Sequence, residues 1–293
     1  MLKRWPNGSR IIFFSPRPSD GHIFFLVVIG VAVLWLAERL HFFRLKALPP
    51  AGGKPRYPIL GLIGYLLIFF LGAPLILRLL RDCLPIDSPA VMMTTLQIVS
   101  LGLALLYLFF FSFMQERETV KALWIHPARA RFSCLIEDFG LGIVAWLVAF
   151  PMTLAVGGLA KLITYIITGK EGADQLAVLF LKLVKDSPSL LVIALVAMVV
   201  LAPVIEELVF RGFLYTYLRQ KMGKVGALIL SSAIFAIFHF APQQGVSNVP
   251  LLFSLFTFSF FLAFLYERQR SLLAPIALHM TFNSISVMRI FLT

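Results

Sequence analysis

The sequence predicts an all-α integral membrane protein, a polytopic helical bundle with about eight transmembrane helices. Two observations favour this class. Of the 293 residues, 60% are hydrophobic and only 14% are charged, whereas charged residues make up about 25% of an ordinary soluble domain. The mean hydropathy is +0.92. So apolar a chain cannot hide its side chains from water by folding, and we expect it to lie in a lipid bilayer.

The individual helices follow from the length that a bilayer requires. A spanning helix needs about 20 mainly apolar residues, and this rule divides the chain into eight runs. These are residues 23–37, 58–77, 89–114, 139–160, 189–210, 225–240, 249–266 and 271–292. An even number of spans places both termini on one side of the membrane. Lys and Arg are distributed too evenly between the two sides to fix the orientation.

A single membrane domain, residues 1–293, is predicted, with three parts: four N-terminal spans in 1–160, an amphipathic segment in 161–188 and the remaining spans in 189–293. The first run follows several basic residues but lacks a convincing signal-peptide cleavage site, so we interpret it as a retained span. Residues 48–58 are rich in Pro and Gly and predict a loop. In 161–188, apolar residues recur at helical spacing amid charges, which predicts an interfacial helix or a docking flap.

The net charge of +12 would suggest nucleic acid as the partner of a soluble protein. Here Lys and Arg lie in short connections between apolar runs, where they meet anionic lipid headgroups. The predicted partner is therefore the bilayer and not nucleic acid. Cys83 and Cys134 have no metal-ligand spacing.

Ionisable residues inside apolar runs are the informative ones, because each costs roughly 2.5–3.5 kcal/mol at the centre of a membrane helix. Glu207 and Arg211 are separated by four residues, which predicts a salt bridge on one helical face. Glu206 points about 100° away around the helix. It has no partner on its own helix, so its carboxylate must meet another helix, the environment of a working acid or base.

Two histidines lie within later runs. His239 ends the sixth run, with Phe235 one turn earlier on the same face. In the eighth run, His279 and Asn283 are four residues apart, which directs an imidazole and an amide to one point. Three helices could therefore direct polar groups into one cavity formed by the C-terminal helices.

Together these motifs, Glu206-Glu207-Leu-Val-Phe-Arg211, Phe235-Ala-Ile-Phe-His239 and His279-Met-Thr-Phe-Asn283, resemble those of the CPBP family. This family comprises the CAAX proteases and bacteriocin-processing enzymes and is also called the Abi family. All three motifs are complete and in the family's order, and together they cover roughly residues 187–290. The resemblance implies an intramembrane endopeptidase that acts on a membrane-tethered or lipidated protein or peptide, of CAAX type or with a leader to be removed.

By this resemblance, Glu206 and His239 would hold and deprotonate a water, while His279 and Asn283 would donate hydrogen bonds to the oxyanion. Glu207 and Arg211 would support the site, and Phe235 would shape its wall. A competing scheme places a zinc ion on Glu206, His239 and His279. Two histidines and a carboxylate are an acceptable zinc set, but the HExxH spacing is absent. We favour the glutamate mechanism with no obligatory cofactor, and zinc remains the alternative.

A second class of function stays open: a non-proteolytic membrane protein, such as a scaffold or transporter, that keeps the polar cluster for folding or ion binding. A transporter would be favoured by inverted repeats, and the polar residues are instead confined to the C-terminal half. In either case we expect an integral protein of the plasma or inner membrane in a prokaryote, or of the endoplasmic reticulum in a eukaryote.

Overall fold

The computed structural model describes residues 20–45, 55–80, 88–129, 132–170 and 175–292. Nearly all of these residues are helical, and the one β-type contact among them is an isolated bridge between Ile125 and Ser271. The all-α prediction is confirmed. The helices are α1 (Asp20–Arg39), α2 (Pro58–Leu67, Ile68–Gly72 and Ala73–Leu80, joined end to end), α3 (Pro89–Phe113), α4 (Arg117–Trp124), α5 (Phe132–Thr168), α6 (Leu176–Val184), α7 (residues 188–222), α8 (residues 224–238), α9 (Asn248–Gln269) and α10 (Leu273–Leu292).

Helices α7 and α8 are separated by a single glycine. Gly223 has φ 76° and ψ −176°, a conformation that glycine adopts far more readily than residues with a Cβ atom. Elsewhere the helices contain π-helical turns, in which hydrogen bonds skip one more residue than in an α-helix. These turns are Ile68–Gly72 in α2, and Ala197–Leu201 and Leu208–Tyr215 in α7.

Each of the eight predicted runs coincides with a helix. By length and composition, the described residues contain five helical stretches able to cross a membrane. These are Pro58–Leu79, Pro89–Phe113, Phe132–Thr168, Pro188–Phe238 and Pro242–Gln269. The fourth stretch contains both α7 and α8. The protein is therefore an integral membrane protein, while the number of eight spans stays a prediction.

Helix α5 is the central element of the bundle and packs against α1, α9 and α10. Its 37 residues extend for about 55 Å at 1.5 Å per residue, well beyond the hydrocarbon thickness of about 30 Å. Residues 161–168 continue α5, so the helix extends beyond the predicted end of the fourth run at residue 160, while the division of the domain at residue 161 stays a prediction. The charge of Lys161 suggested the end of a span, but a helix of this length can place it beyond the hydrocarbon.

The structure describes only part of the predicted amphipathic segment and of the predicted loop. Of the segment 161–188, residues 171–174 lie outside the described residues, and α6 packs its buried Phe180 and Val184 towards the start of α7 and of α3. Its place at the interface stays a prediction. Residues 1–19 and most of the predicted loop 48–58 also lie outside the described residues.

Close packing of α5 on α10 gives a first prediction. A Cβ atom on Gly142 would collide with the backbone oxygen of Ala274 and the side chain of Ala277, whereas Gly140, two residues earlier, faces open space. We expect Gly142→Leu to displace α10, which carries His279, and to lower the melting temperature in detergent clearly. Gly140→Leu, the matched control, should leave it nearly unchanged, and equal melting temperatures for the two variants would contradict the packing.

Candidate active site

Two adjacent glutamates of α7 enter different environments. Glu206 and Glu207 end the short α-helical stretch Ala202–Glu207, which lies between the two π-helical turns of α7. The side chain of Glu207 is fully buried, with 0% exposure. That of Glu206 is 13% exposed. The sequence predicted this separation, because neighbouring residues point about 100° apart on a helix.

Glu207 forms the predicted salt bridge with Arg211. Its Oε1 atom accepts a hydrogen bond from Arg211 Nη1 at 2.9 Å, and the Arg211 side chain is only 1% exposed. Arg211 also donates through Nη2 to the hydroxyl of Ser259 on α9, at 2.7 Å, and to its carbonyl, at 3.1 Å. The guanidinium carbon lies 4.7 Å from the centre of the Phe235 ring on α8, within the range of a cation–π interaction.

His279 lies between the two glutamates. Its Nδ1 atom is 2.9 Å from Glu207 Oε1, and its Nε2 atom is 3.9 Å from Glu206 Oε2. Because an ionised carboxylate only accepts hydrogen bonds, we assign Nδ1 as the donor to Glu207. The opposite nitrogen then faces Glu206, and it accepts a hydrogen bond when the ring is neutral and donates one when the ring is protonated. The imidazole is therefore held in one orientation on α10.

His239 belongs to the same region but is anchored differently. Its Nδ1 atom is 2.9 Å from the carbonyl oxygen of Phe235, and a carbonyl only accepts, so Nδ1 donates here too. Phe235 is 1% exposed, and the centre of its ring lies 4.8 Å from that of His239 and 6.1 Å from that of His279. The ring thus lies beside both imidazoles, and its predicted role in shaping the wall of the site stays a prediction.

Asn283 connects α10 to the first π-helical turn of α7. Its Nδ2 atom donates a hydrogen bond to the backbone oxygen of Met198 at 2.9 Å. Primary amides carry two N–H hydrogens, so one remains for another acceptor. The contact orients the side chain, and the oxyanion role implied by the resemblance stays a prediction.

The three side chains considered for zinc do not form a metal site in this arrangement. Glu206 and His279 approach each other, but in the part of the chain that the structure describes His239 has no ion pair with either glutamate. No group of three His, Cys, Asp or Glu residues there is placed to hold a metal ion. The glutamate mechanism without an obligatory cofactor therefore stays a prediction, with zinc as its alternative.

Two contacts could not be predicted from spacing along the sequence. The hydrogen bond between His279 and Glu207 joins residues 72 positions apart, and that between Arg211 and Ser259 joins residues 48 apart. Helical periodicity relates only residues three or four apart. A buried serine in an apolar helix is a weak signal by itself, because its hydroxyl can bond to the backbone of its own helix.

The fold and these contacts define a class: a helical membrane protein with a cluster of carboxylates, imidazoles and a guanidinium among its C-terminal helices. Residues 188–285 match the model of a family described as type II CAAX prenyl endopeptidase Rce1-like. The resemblance of the three motifs to the CPBP and CAAX protease family is therefore confirmed.

A relative and a search of solved structures complete the comparison. The chain is 26% identical over 151 residues to YdiL, a Bacillus subtilis (strain 168) protein whose name describes a membrane peptidase. The match covers 52% of this chain and 57% of that protein, so the chain spans little more than half of its relative's length. No solved structure matches the chain.

The buried pair gives the second prediction. Glu207→Gln leaves Arg211 as a buried cation without its anion, which costs on the order of 3–5 kcal/mol for a fully buried pair. We expect a large fall in melting temperature in detergent. Combining it with Arg211→Met should recover part of the loss, because no lone charge remains. Glu118→Gln, which breaks the exposed Glu118–Lys121 pair, is the control and should have little effect. If Glu207→Gln alone melts at the same temperature as Glu118→Gln, the ion pair between Glu207 and Arg211 does not stabilise the fold.

Proposed function

We propose that the chain is an intramembrane endopeptidase that hydrolyses a peptide bond in a membrane-tethered or lipidated protein or peptide. The observation that carries the proposal is His279, held by Glu207 with its second nitrogen facing Glu206. A largely buried carboxylate that keeps some exposure, beside an oriented imidazole inside an apolar bundle, is a suitable arrangement for general acid–base chemistry. The match of residues 188–285 to a CAAX endopeptidase family supports the same reaction.

Hydrolysis of an amide requires a base for the water, donors for the oxyanion and an acid for the leaving amine. Glu206 is the base. The water oxygen bonds to the peptide carbonyl carbon as its proton passes to Glu206. The C–N bond then breaks, and the same proton passes to the amine nitrogen, which restores the carboxylate.

The neighbouring groups position the reactants. His239 Nδ1 is engaged by the Phe235 carbonyl, so its Nε2 atom is the one available to hold the water. His279 Nε2, when protonated, and the second N–H of Asn283 are the donors for the oxyanion. Glu207 and Arg211 do not react, and their task is to fix His279. In the proposed mechanism no step passes through a metal.

The description of the matched family supports the substrate class that we propose. A CAAX prenyl endopeptidase acts on a lipidated C-terminus, and a site deep among apolar helices suits a substrate delivered from the bilayer. We propose a prenylated CAAX-type peptide as the first probe, with leader peptides as the second.

The third prediction concerns Glu206. Glu206→Gln preserves the volume of the side chain and removes the base, so the protein should fold with an unchanged melting temperature yet lose cleavage. Mass spectrometry of membrane peptides from cells that express each form should reveal termini present only with the wild-type chain, and these termini identify the substrate. Identical sets of termini, with both forms folded in the membrane, would point to the non-proteolytic alternative.

The fourth prediction concerns metal dependence. Since no group of three His, Cys, Asp or Glu residues in the described part of the chain is placed to hold a metal ion, purified wild-type protein should cleave its substrate at an unchanged rate after exhaustive treatment with a strong chelator. The measurement is the cleavage rate, with the bound zinc determined by elemental analysis of the same sample. Activity that disappears and returns with one equivalent of zinc would establish the metal mechanism instead.

A further inference from the structure

A buried asparagine holds the chain that follows His239. Asn248 is the first residue of α9 and is only 4% exposed. Its Oδ1 atom accepts a hydrogen bond from the Ala241 N–H at 3.0 Å. Its Nδ2 atom donates to the Ala241 carbonyl at 2.8 Å and to the Gly245 carbonyl at 3.0 Å. These three bonds fasten the segment between α8 and α9 to the start of α9.

The contact with Asn248 lies where α8 ends. In a continuing α-helix the Ala241 N–H would donate to the carbonyl four residues back, which is that of Ile237. Asn248 takes this N–H instead, and the Ile237 carbonyl accepts the N–H of Phe240 at 3.0 Å, only three residues away. The last turn of α8 is therefore wound more tightly than the rest, as is common at helix ends.

This tight last turn leaves a carbonyl for the imidazole of His239. The His239 N–H donates to the Ala236 carbonyl at 3.0 Å, three residues back. The Phe235 carbonyl, four residues back, accepts the imidazole Nδ1–H at 2.9 Å. A ring bonded through Nδ1 presents Nε2 in one direction. The orientation of the imidazole thus depends on the path by which the chain leaves α8, and Asn248 holds that path.

The segment has little freedom to take another path while these bonds persist. Pro242–Ser247 form short 3₁₀ turns, and Gly245 among them has φ 50° and ψ −125°, a conformation that glycine adopts far more readily than other residues. The Ala241 carbonyl also accepts the Gln244 N–H at 2.9 Å, so both of its lone pairs are used. Ala241 is buried, and loss of the asparagine would deprive its N–H of a partner away from water.

We propose that Asn248 is a positioning residue for His239 and keeps the imidazole Nε2 directed at the water that Glu206 deprotonates. The proposal rests on the proposed function and adds a residue outside the three motifs. Asn248 acts through the backbone of Ala241 and does not itself react. The transfer of the proton from water to Glu206 and then to the amine is unchanged.

The fifth prediction uses Asn248→Ala, which removes all three hydrogen bonds. The matched control is Gln115→Ala, because Gln115 makes the same kind of contact with one residue. Its Oε1 atom accepts the Arg56 N–H at 2.7 Å, and its Nε2 atom donates to the Arg56 carbonyl at 2.8 Å. Gln115 is also buried. This contact joins the chain after α3 to the chain before α2, and neither carries a candidate catalytic residue.

Full-length protein in lipid vesicles would be tested with a fluorescent peptide that ends in a farnesylated CAAX sequence. For Asn248→Ala we expect kcat to fall about tenfold or more, because a small displacement of a catalytic group is enough for such a loss. The KM should stay within about twofold of the wild-type value. Gln115→Ala should keep the wild-type kcat, although each variant loses buried hydrogen bonds and should melt at a lower temperature.

The imidazole itself provides a second measurement, which needs no substrate. In NMR spectra of protein with isotope-labelled histidine rings, the hydrogen-bonded Nδ1–H of His239 is identified as the resonance that His239→Gln removes. We expect Asn248→Ala to shift or broaden this resonance and Gln115→Ala to leave it unchanged. If Asn248→Ala does not fold, Asn248→Asp is measured in the same way, because it keeps the oxygen that accepts the Ala241 N–H and loses the two Nδ2 bonds.

The outcomes separate this proposal from the function on which it rests. Where the wild-type chain cleaves the peptide and Glu206→Gln does not, a folded Asn248 variant with either the wild-type kcat or the wild-type His239 resonance overturns the positioning role, although the protease function stands. Equal losses of kcat in Asn248→Ala and Gln115→Ala, or failure of both Asn248 variants to fold, would make Asn248 a support of the whole fold and also overturn it. If Glu206→Gln cleaves as fast as the wild-type chain, or neither cleaves, the proposed function fails and the role of Asn248 in the reaction fails with it.

Discussion

The buried ion pair between Glu207 and Arg211 is the interaction on which the site depends. Neither charge is exposed to more than 1%, so each must find its partners inside the protein. Arg211 bonds to Ser259 on α9 and stacks on Phe235 of α8, and Glu207 holds His279 of α10. Two charges on one helix thereby link four helices. The pair fixes the direction of His279, and the chemistry proposed for Glu206 relies on that direction.

Two π-helical turns of α7 flank the glutamates, and one of them offers a hydrogen-bond acceptor to α10. Residues Ala197–Leu201 and Leu208–Tyr215 enclose the short stretch that carries both glutamates. Such turns leave backbone carbonyls without the usual helical partner and occur often at functional sites. The Met198 carbonyl lies in the first turn and accepts the amide of Asn283. A polar side chain of α10 thus satisfies an acceptor that apolar surroundings would otherwise leave costly.

The features that could be predicted from the sequence are those that depend on periodicity along a single helix. Apolar runs predicted the position of all eight long helices, and the four-residue spacing of Glu207 and Arg211 predicted their salt bridge. The sequence could not predict the His279–Glu207 bond, because the relative rotation of α7 and α10 depends on tertiary packing. The end of α5 was placed too early at Lys161, since a charge marks the end of hydrocarbon and not the end of a helix. The π-helical turns had no signal in composition.

The contrast between the adjacent glutamates explains why the site needs both. A carboxylate with 0% exposure, whose Oε1 atom is bonded to a guanidinium and an imidazole, is a rigid support without access to water. A base must instead keep a path to water, and Glu206, with 13% exposure and only a 3.9 Å approach to His279, meets that need. Helical geometry directs the two side chains apart at no extra cost. Rigidity and reactivity are thus divided between neighbouring residues, and His279 is the group through which the rigid carboxylate can influence the reactive one.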